Sequence, residues 1–469
     1  KHLNNNAILQ MDIVNGANTF HIQPNEIIVG GMPNLSLGEG CYVMRYLTDD
    51  EHQAGFIAGL SEASGVGHII PDFDKLLQHG LGDLIADATV RHDAAIDPAK
   101  RDFYQATILS LQGVSEYLLR FADLAAATAK TLSDGEAWEK TNLAAVEARL
   151  RHVAINKPTS FAEAVQLLFA THCCIQLTGE PTALGRLDQV LLPYLEADSI
   201  SLDEAQEIID AFYIKLDEKV QQNRLFIEDH QPFGNLAMGG ASGPYPQGAS
   251  LGQWIQQITV GGTVADNKPG KGTPAYNDLT RLFIRASARL PLNAPCLSLR
   301  TRKDMPEDLL EEAATAILCG GAHPILLNDE LIIDGMHRSG DNIGGDGMAT
   351  ETDNLWDSAV ELRSARNYAC DGCYEPQFSG ENWFALGGFP TLNALECALN
   401  RGRTYLTAGE TYLTGQVISF TSRPTEEIKS FEELVELFFE HFEWLNRKAI
   451  NGQIQGFGNN TAVPGLMIV

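Results

Sequence analysis

The sequence predicts a mixed α/β fold, and two observations support that prediction. Short apolar runs of strand length recur along the chain, and helical segments with clear start signals lie among them. Alternation of strand and helix is typical of a sheet that is covered by helices. Three runs are the predicted strands: Ile258–Val260, Cys296–Arg300 and His323–Leu327.

The helical segments follow from apolar spacing and from capping signals. Three of them begin with a serine that precedes a glutamate by three residues, a capping box in which the two side chains satisfy backbone N–H groups of the first turn. A fourth begins at a proline and ends at paired glycines. In chain order the predicted helices are Arg101–Lys130, Ser160 to about Ile175, Ser201 to about Val220, Asp304 to Gly320, and Ser430 to about Ile450.

Composition excludes several classes of function. The 469 residues contain 33 Lys and Arg against 61 Asp and Glu, which gives a net charge of −28. So acidic a chain is repelled by phosphate backbones and by anionic membranes, so we expect neither nucleic acid nor a membrane as partner. The apolar fraction of 44% is too high for a chain that is mainly disordered.

Eight cysteines are spread irregularly along the chain. This sparse set is typical of a reduced, cytoplasmic protein rather than of a disulfide framework. Cys370 and Cys373 have the spacing of a metal or redox pair. One such pair without a second pair or a nearby histidine is a weak zinc signal, so we predict no metal site.

Cys373 and Glu375 form the most informative pair in the sequence. If the backbone is extended here, alternate side chains share one face, and the thiol and the carboxylate address the same small volume while Tyr374 points away. A carboxylate raises the pKa of a neighbouring thiol, which disfavours an ionic cysteine nucleophile. The pair suits hydrogen removal by sulfur and proton transfer by the carboxylate. A buried structural cysteine in a turn is the alternative.

The string Gly372-Cys-Tyr-Glu-Pro376 resembles the Gly-Cys-Val-Glu-Pro finger-loop motif of the glycyl radical enzymes. Further segments match that family in the same order along essentially the whole chain. The sequence is therefore similar to the pyruvate formate-lyase-like superfamily, in its dehydratase and lyase branch. The matching segments are Asn25–Gly30, Gly67–Lys75, Ser160–Gln166, Gly185–Gln189, Asn328–Glu330 and Ala394–Asn400.

The resemblance implies a ten-stranded α/β barrel with surrounding helices, built as one domain over residues 1–469, with a finger loop at about 367–390 inside it. It implies a glycyl radical that a separate radical S-adenosylmethionine activating enzyme installs. Cys373 would form the thiyl radical that removes a hydrogen atom from a small polar substrate, and Glu375 would be the general base. We also expect a homo-oligomer.

Four further residues are candidates for substrate binding. His68 matches a substrate-site histidine of the family, although a hydrogen-bonded core histidine is an equal alternative. Glu180 occupies a position where diol dehydratases carry a His-Ser pair, so it would suit a cationic group, or it is an exposed loop acid. Trp383 and Phe384 would line a pocket, or they are core aromatics.

One family motif is missing from the sequence. The glycyl radical loop, Arg-Val-x-Gly-Tyr, has no counterpart, since the chain contains neither an Arg-Val nor a Gly-Tyr dipeptide. We therefore expect an incomplete barrel without the C-terminal glycyl radical domain. Either the chain is a fragment of a longer protein, or a second polypeptide supplies the other half-barrel and the radical glycine. The main hypothesis is a lyase that breaks a C–O, C–N or C–S bond. An arylacetate-type radical decarboxylase and an inactive half-barrel scaffold are the alternatives.

Overall fold

The computed structural model describes a parallel sheet, the helices that cover it and one separate hairpin, which confirms the predicted α/β fold class. The described residues are 22–31, 69–176, 182–217, 256–292, 294–321, 323–338, 361–371, 374–381, 391–405, 415 and 417–459. Five strands lie among them: β1 Gln257–Gly261, β2 Cys296–Thr301, β3 Ile325–Asn328, β4 Tyr368–Asp371 and β5 Glu375–Phe378.

The helices occupy most of the described part of the chain. In order they are α1 Phe73–Ala94, α2 Pro98–Thr131, α3 Ala137–Val153, α4 Phe161–Gln176, α5 Leu187–Val190, α6 Leu192–Ala197, α7 Leu202–Asp217, α8 Asp278–Arg289, α9 Glu307–Ala316, α10 Asp329–Arg338, α11 Leu362–Arg366, α12 Thr391–Leu399 and α13 Phe431–Asn459. None of these described helices is long and apolar enough to cross a membrane.

Strands β1, β2 and β3 form a parallel sheet in that order. Single-residue parallel bridges continue the array beyond β1, first from Ile258 to Gly185 and then from Thr182 to Ile69. The parallel arrangement therefore involves five successive segments of the chain. Because the connections between parallel strands are long, helices such as α8 and α9 can cover the outer face of the sheet.

The two faces of this sheet differ in chemistry. Ile258, Val260, Leu297 and Leu299 point to the outer face and belong to the main apolar core, which the helices complete. The alternate positions carry the polar residues Gln257, Thr259, Ser298 and Arg300, and these are fully buried as well. Buried polar groups need hydrogen-bond partners, so the polar face must be covered by another part of the chain.

The predicted elements agree closely with the structure, with three differences. The helix predicted over Asp304–Gly320 is α9, Glu307–Ala316, which is followed by a π-helical turn at Ile317–Gly321. Strand β3 begins at Ile325 rather than at His323, because Pro324 has no backbone N–H to give to a ladder. Helix α13 continues to Asn459, past the predicted end near Ile450.

Candidate functional site

The site is built on a hairpin formed by the antiparallel strands β4 and β5. Asp371 pairs with Glu375 at its closed end, so residues 372–374 connect the strands. The Tyr374 N–H donates to the Asp371 carbonyl at 2.9 Å, which closes the turn. Glu375 thus lies on the first residue of β5, directly across from a second, fully buried carboxylate.

The backbone at Tyr374 corrects one step of the sequence argument. Its φ is 80°, in the left-handed region that non-glycine residues rarely adopt. The chain therefore turns at Tyr374 instead of running extended, which contradicts the assumption of an extended backbone at this residue. Cys373 lies outside the described residues, so its closeness to Glu375 stays a prediction.

The hairpin covers the polar face of the parallel sheet. The Cys370 N–H donates to the Thr259 hydroxyl of β1 at 3.0 Å. At the other end of the hairpin, the Gly380 N–H donates to the Ile70 carbonyl at 2.9 Å. Hydrogen bonds to two different segments of the sheet fix both sides of the hairpin, so part of the hydrogen-bonding need of the buried polar face is met by the hairpin.

Arg300 of β2 makes the densest set of contacts with the hairpin. Its Nη1 donates to the Tyr368 carbonyl at 2.8 Å, and its guanidinium carbon lies 3.8 Å from the centre of the Tyr368 ring. Its Nε donates to Asp329 Oδ1 at 2.7 Å in an ion pair with no solvent exposure. The second oxygen of Asp329 accepts from the Thr263 hydroxyl at 2.6 Å.

Charge balance explains the state of Asp329. Burial by itself raises the pKa of this carboxyl, but the nearby Arg300 guanidinium, the Thr263 hydroxyl and the Arg186 guanidinium together outweigh it. The pKa of Asp329 therefore lies below its usual range, and the carboxylate stays ionised beside Arg300. A charge pair that is both buried and hydrogen-bonded has a well-defined geometry.

Arg186 supports the hairpin from a second direction. It is buried and donates from Nη1 to the Arg366 carbonyl at 3.0 Å, just before β4. Its Nη2 donates to the carbonyls of Gly261 and Thr263, both at 2.9 Å. Burial, followed by repulsion from Arg300, lowers the pKa of Arg186 to about 9.

The thiol and carboxyl groups of the hairpin have distinct environments. Burial raises the pKa of Cys370 to about 12, with Glu375 and Asp371 adding to the effect of burial and Arg300 opposing it. Cys370 therefore keeps its S–H hydrogen at neutral pH. Glu375 is half-buried, and its Oε2 has no hydrogen-bond partner among the described residues. This oxygen is itself buried, so a hydrogen-bond partner outside the described residues would satisfy it.

Most of the predicted site residues lie outside the described residues. These are Cys373, His68, Glu180, Trp383 and Phe384. Of the predicted set, Glu375 alone is described. The predicted set of site residues does not include Arg186, Arg300, Asp329 or Thr259. Arg300 did carry a signal, because an arginine within a run of strand residues requires a partner if the strand is buried.

No group of three or more His, Cys, Asp or Glu side chains within the described ranges could hold a metal ion.

Comparison with known proteins identifies the family of the chain. The chain belongs to the pyruvate formate lyase-like family, whose model matches residues 21–455. This confirms the resemblance seen in the sequence.

The named relatives include dehydratases, sulfite-lyases and a decarboxylase subunit. The chain is 28% identical to (2S)-3-sulfopropanediol dehydratase of Klebsiella oxytoca over 402 residues. The aligned region covers 83% of this chain and 43% of that protein. It is 27% identical to isethionate sulfite-lyase of Bilophila wadsworthia, over 71% of this chain and 37% of that protein. The chain thus spans less than half the length of these relatives.

The solved structures show the same fold. The glycerol-bound form of a glycerol dehydratase from Clostridium butyricum matches with a TM-score of 0.66 and 24% identity, over 92% of this chain and 50% of that one.

Proposed function

We propose that this chain carries the cysteine and the general base of a glycyl radical lyase that eliminates a group from a small polar substrate. One observation supports this most directly. A half-buried glutamate, with one oxygen lacking a partner among the described residues, begins the second strand of a hairpin that covers the polar face of a sheet. Such a carboxylate suits proton transfer in a site from which water is largely excluded.

In this proposal Cys373 and Glu375 divide the chemistry. The glycyl radical would take the hydrogen atom of the Cys373 thiol, which would leave a thiyl radical on Sγ. Cys373 Sγ then takes a hydrogen atom from a substrate carbon that bears a hydroxyl, and Glu375 accepts the hydroxyl proton. The neighbouring group then leaves as water, amine or sulfite, and the proton that Glu375 accepted passes to the leaving group. Sγ returns its hydrogen atom to the product radical.

The remaining expectations about the site belong to the same proposal. His68 and Glu180 would contact the polar groups of the substrate, and Trp383 and Phe384 would form the wall of the pocket. The described strands would be part of a ten-stranded barrel. A radical S-adenosylmethionine activating enzyme would act on the glycine of an Arg-Val-x-Gly-Tyr motif, which this sequence lacks and which either a longer form of this chain or a second polypeptide would carry.

The test is to activate the chain together with a polypeptide that carries that motif and to assay a panel of hydroxylated substrates, including 3-sulfopropanediol, isethionate and glycerol. We expect Cys373→Ala to keep the glycyl radical signal in electron spin resonance and to lose all turnover. Glu375→Gln should lower turnover by about 100-fold or more, since it removes the base.

Glu381→Gln is the matched control, because Glu381 is an exposed carboxylate just beyond β5. It should leave turnover unchanged. Turnover that survives Cys373→Ala would refute the assignment of the thiyl radical, and release of carbon dioxide from an arylacetate would favour the decarboxylase instead.

A further inference from the structure

Arg300 and Asp329 form a buried ion pair beside the parallel sheet, and Arg300 also bonds the hairpin. Both side chains are completely buried, and they belong to positions 29 residues apart, one on β2 and one directly after β3. Arg300 reaches Tyr368, the first residue of β4, by a hydrogen bond to its carbonyl and by the stacked guanidinium. The position of β4 therefore depends on the geometry of this pair.

Neighbouring residues restrict the positions of the Arg300 and Asp329 side chains. A Cβ atom added at Gly262 would lie 2.5 Å from Arg300 Nε and 2.9 Å from Asp329 Oδ1, so nothing larger than glycine fits beside the ion pair. Thr263 holds the other oxygen of Asp329. Because the acid is fixed on both oxygens, the guanidinium that it orients is fixed as well.

Arginine is needed here for its shape as well as for its charge. Its planar fork can bond a carboxylate with one nitrogen and a carbonyl with another while its face lies against an aromatic ring. A lysine at this position keeps the positive charge but cannot make these contacts together. The chemistry of the pair thus points to a role in orientation and not only in charge neutralisation.

We propose that Arg300 and Asp329 are positioning residues that set how far the β4–β5 hairpin reaches over the polar face, and hence where its turn presents Cys373 and Glu375 to the substrate. This inference rests on the proposed function. Small displacements of reacting groups cost large factors in rate, so the effect of the pair should fall on the chemical step rather than on substrate binding.

The first experiment needs neither a radical nor a substrate. Amide hydrogen exchange is measured on the intact chain for the wild type, Arg300→Lys and Asp329→Asn. We expect exchange of the β4 amides, including the Cys370 N–H that bonds Thr259, to accelerate by about tenfold or more, with little change in α2 and α3. Exchange in β4 that matches the wild type in both variants would overturn the proposal.

The second experiment uses the activated protein with its radical-bearing partner. We expect kcat to fall by about tenfold or more in both variants while KM stays within about twofold, together with a larger deuterium isotope effect for the substrate hydrogen. A rise in KM with unchanged kcat would show that the pair serves binding only and would overturn the positioning role.

Arg281→Lys is the matched control, because Arg281 forms an ion pair of the same length, 2.7 Å, with Asp308 on the outer helices. It should change neither β4 exchange nor kcat. Asp329→Asn keeps the volume of the side chain and provides a second test if Arg300→Lys fails to fold. An inactive wild type would refute the proposed function, and β4 exchange would still decide whether the pair holds the hairpin.

Discussion

The protonation state of His172, a buried residue of α4, is determined by its burial and by its hydrogen-bond partner. Gln256 donates its amide N–H to the Leu216 carbonyl at 2.8 Å, so its oxygen faces His172 Nε2 at 3.0 Å. The imidazole must therefore donate from Nε2, and a second proton would have to go to Nδ1, which has no partner among the described residues. Complete burial lowers the pKa of His172 from its ordinary value of 6.5 to about 4.

This shift predicts an acid-sensitive contribution to stability. The unfolded chain binds the proton more readily than the folded one, so the contribution of neutral His172 is complete above pH 6.5 and is lost as the pH falls towards 4. The loss should be about 3 kcal/mol. His172→Gln should therefore weaken the pH dependence of the free energy of unfolding between pH 7 and pH 4, measured by urea denaturation.

His79→Gln provides the control for this experiment, because His79 is exposed on α1. It should keep the pH dependence of the wild type. An unchanged slope in the His172→Gln protein would contradict the assignment of a buried neutral imidazole.

Individual residues were predictable from the sequence when their role is local. Ser201 and Glu204 make both bonds of the predicted capping box, at 2.8 and 3.2 Å. At Ser160 the serine caps the helix, but Glu163 reaches back to Thr159 instead of to the serine N–H. The choice between two adjacent N–H groups depends on the path of the chain into the helix, which local sequence does not specify.

At the scale of elements, one hydrogen bond joins the hairpin to the sheet, and a substitution that replaces a hydroxyl by a methyl group can test it. The Thr259 hydroxyl accepts from the Cys370 N–H inside a region without solvent. Thr259→Val keeps the shape of the side chain and removes the acceptor, which leaves a buried N–H unsatisfied.

We predict that Thr259→Val lowers the free energy of unfolding by about 1–3 kcal/mol, since that is the cost of an unsatisfied buried donor. Thr259→Ser keeps the hydroxyl and should cost less. The measurement is urea denaturation combined with hydrogen exchange at the Cys370 amide. Equal losses in the valine and serine variants would show that packing, and not the hydrogen bond, matters at this position.

Helices and strands were predictable where the spacing of their apolar residues is regular. The contacts between these elements were not predictable from the sequence. The runs at β1 and β2 and the spacing in α2 and α4 indicate strands and helices at nearly the observed bounds. Nothing local indicates that Arg186 would bond the carbonyl of Arg366, 180 residues later. Such contacts arise from the tertiary fold, so the hairpin could be recognised by its motif while the residues that hold it could not.

At the scale of the whole molecule, the segment 22–31 ties the first part of the sequence to the helices. Gln166 of α4 bonds both the N–H and the carbonyl of Val29, at 2.9 and 2.6 Å. Tyr117 of α2 accepts from the Gly31 N–H at 2.9 Å. Residues separated by more than 80 positions thus satisfy the backbone of an irregular segment, which allows it to be buried.

One buried ion pair links this segment to α7. Lys215 bonds Glu26, and the two side chains are only 6% and 8% exposed. The Lys215 ammonium also lies 5.9 Å from the centre of the Phe169 ring on α4, so it contacts elements that are far apart in the sequence. Removing the carboxylate from such a pair leaves a buried charge without its main compensation, which is costly.

We therefore predict that Glu26→Gln lowers the free energy of unfolding by about 3–5 kcal/mol, whereas Glu26→Leu combined with Lys215→Met costs less, because no charge is then buried. Urea denaturation of the three proteins measures both effects. Glu443→Gln is the control, since Glu443 pairs with Arg447 on the exposed face of α13. It should change stability by less than about 1 kcal/mol. If the double variant is as unstable as Glu26→Gln, the segment depends on the hydrogen bond itself rather than on charge compensation.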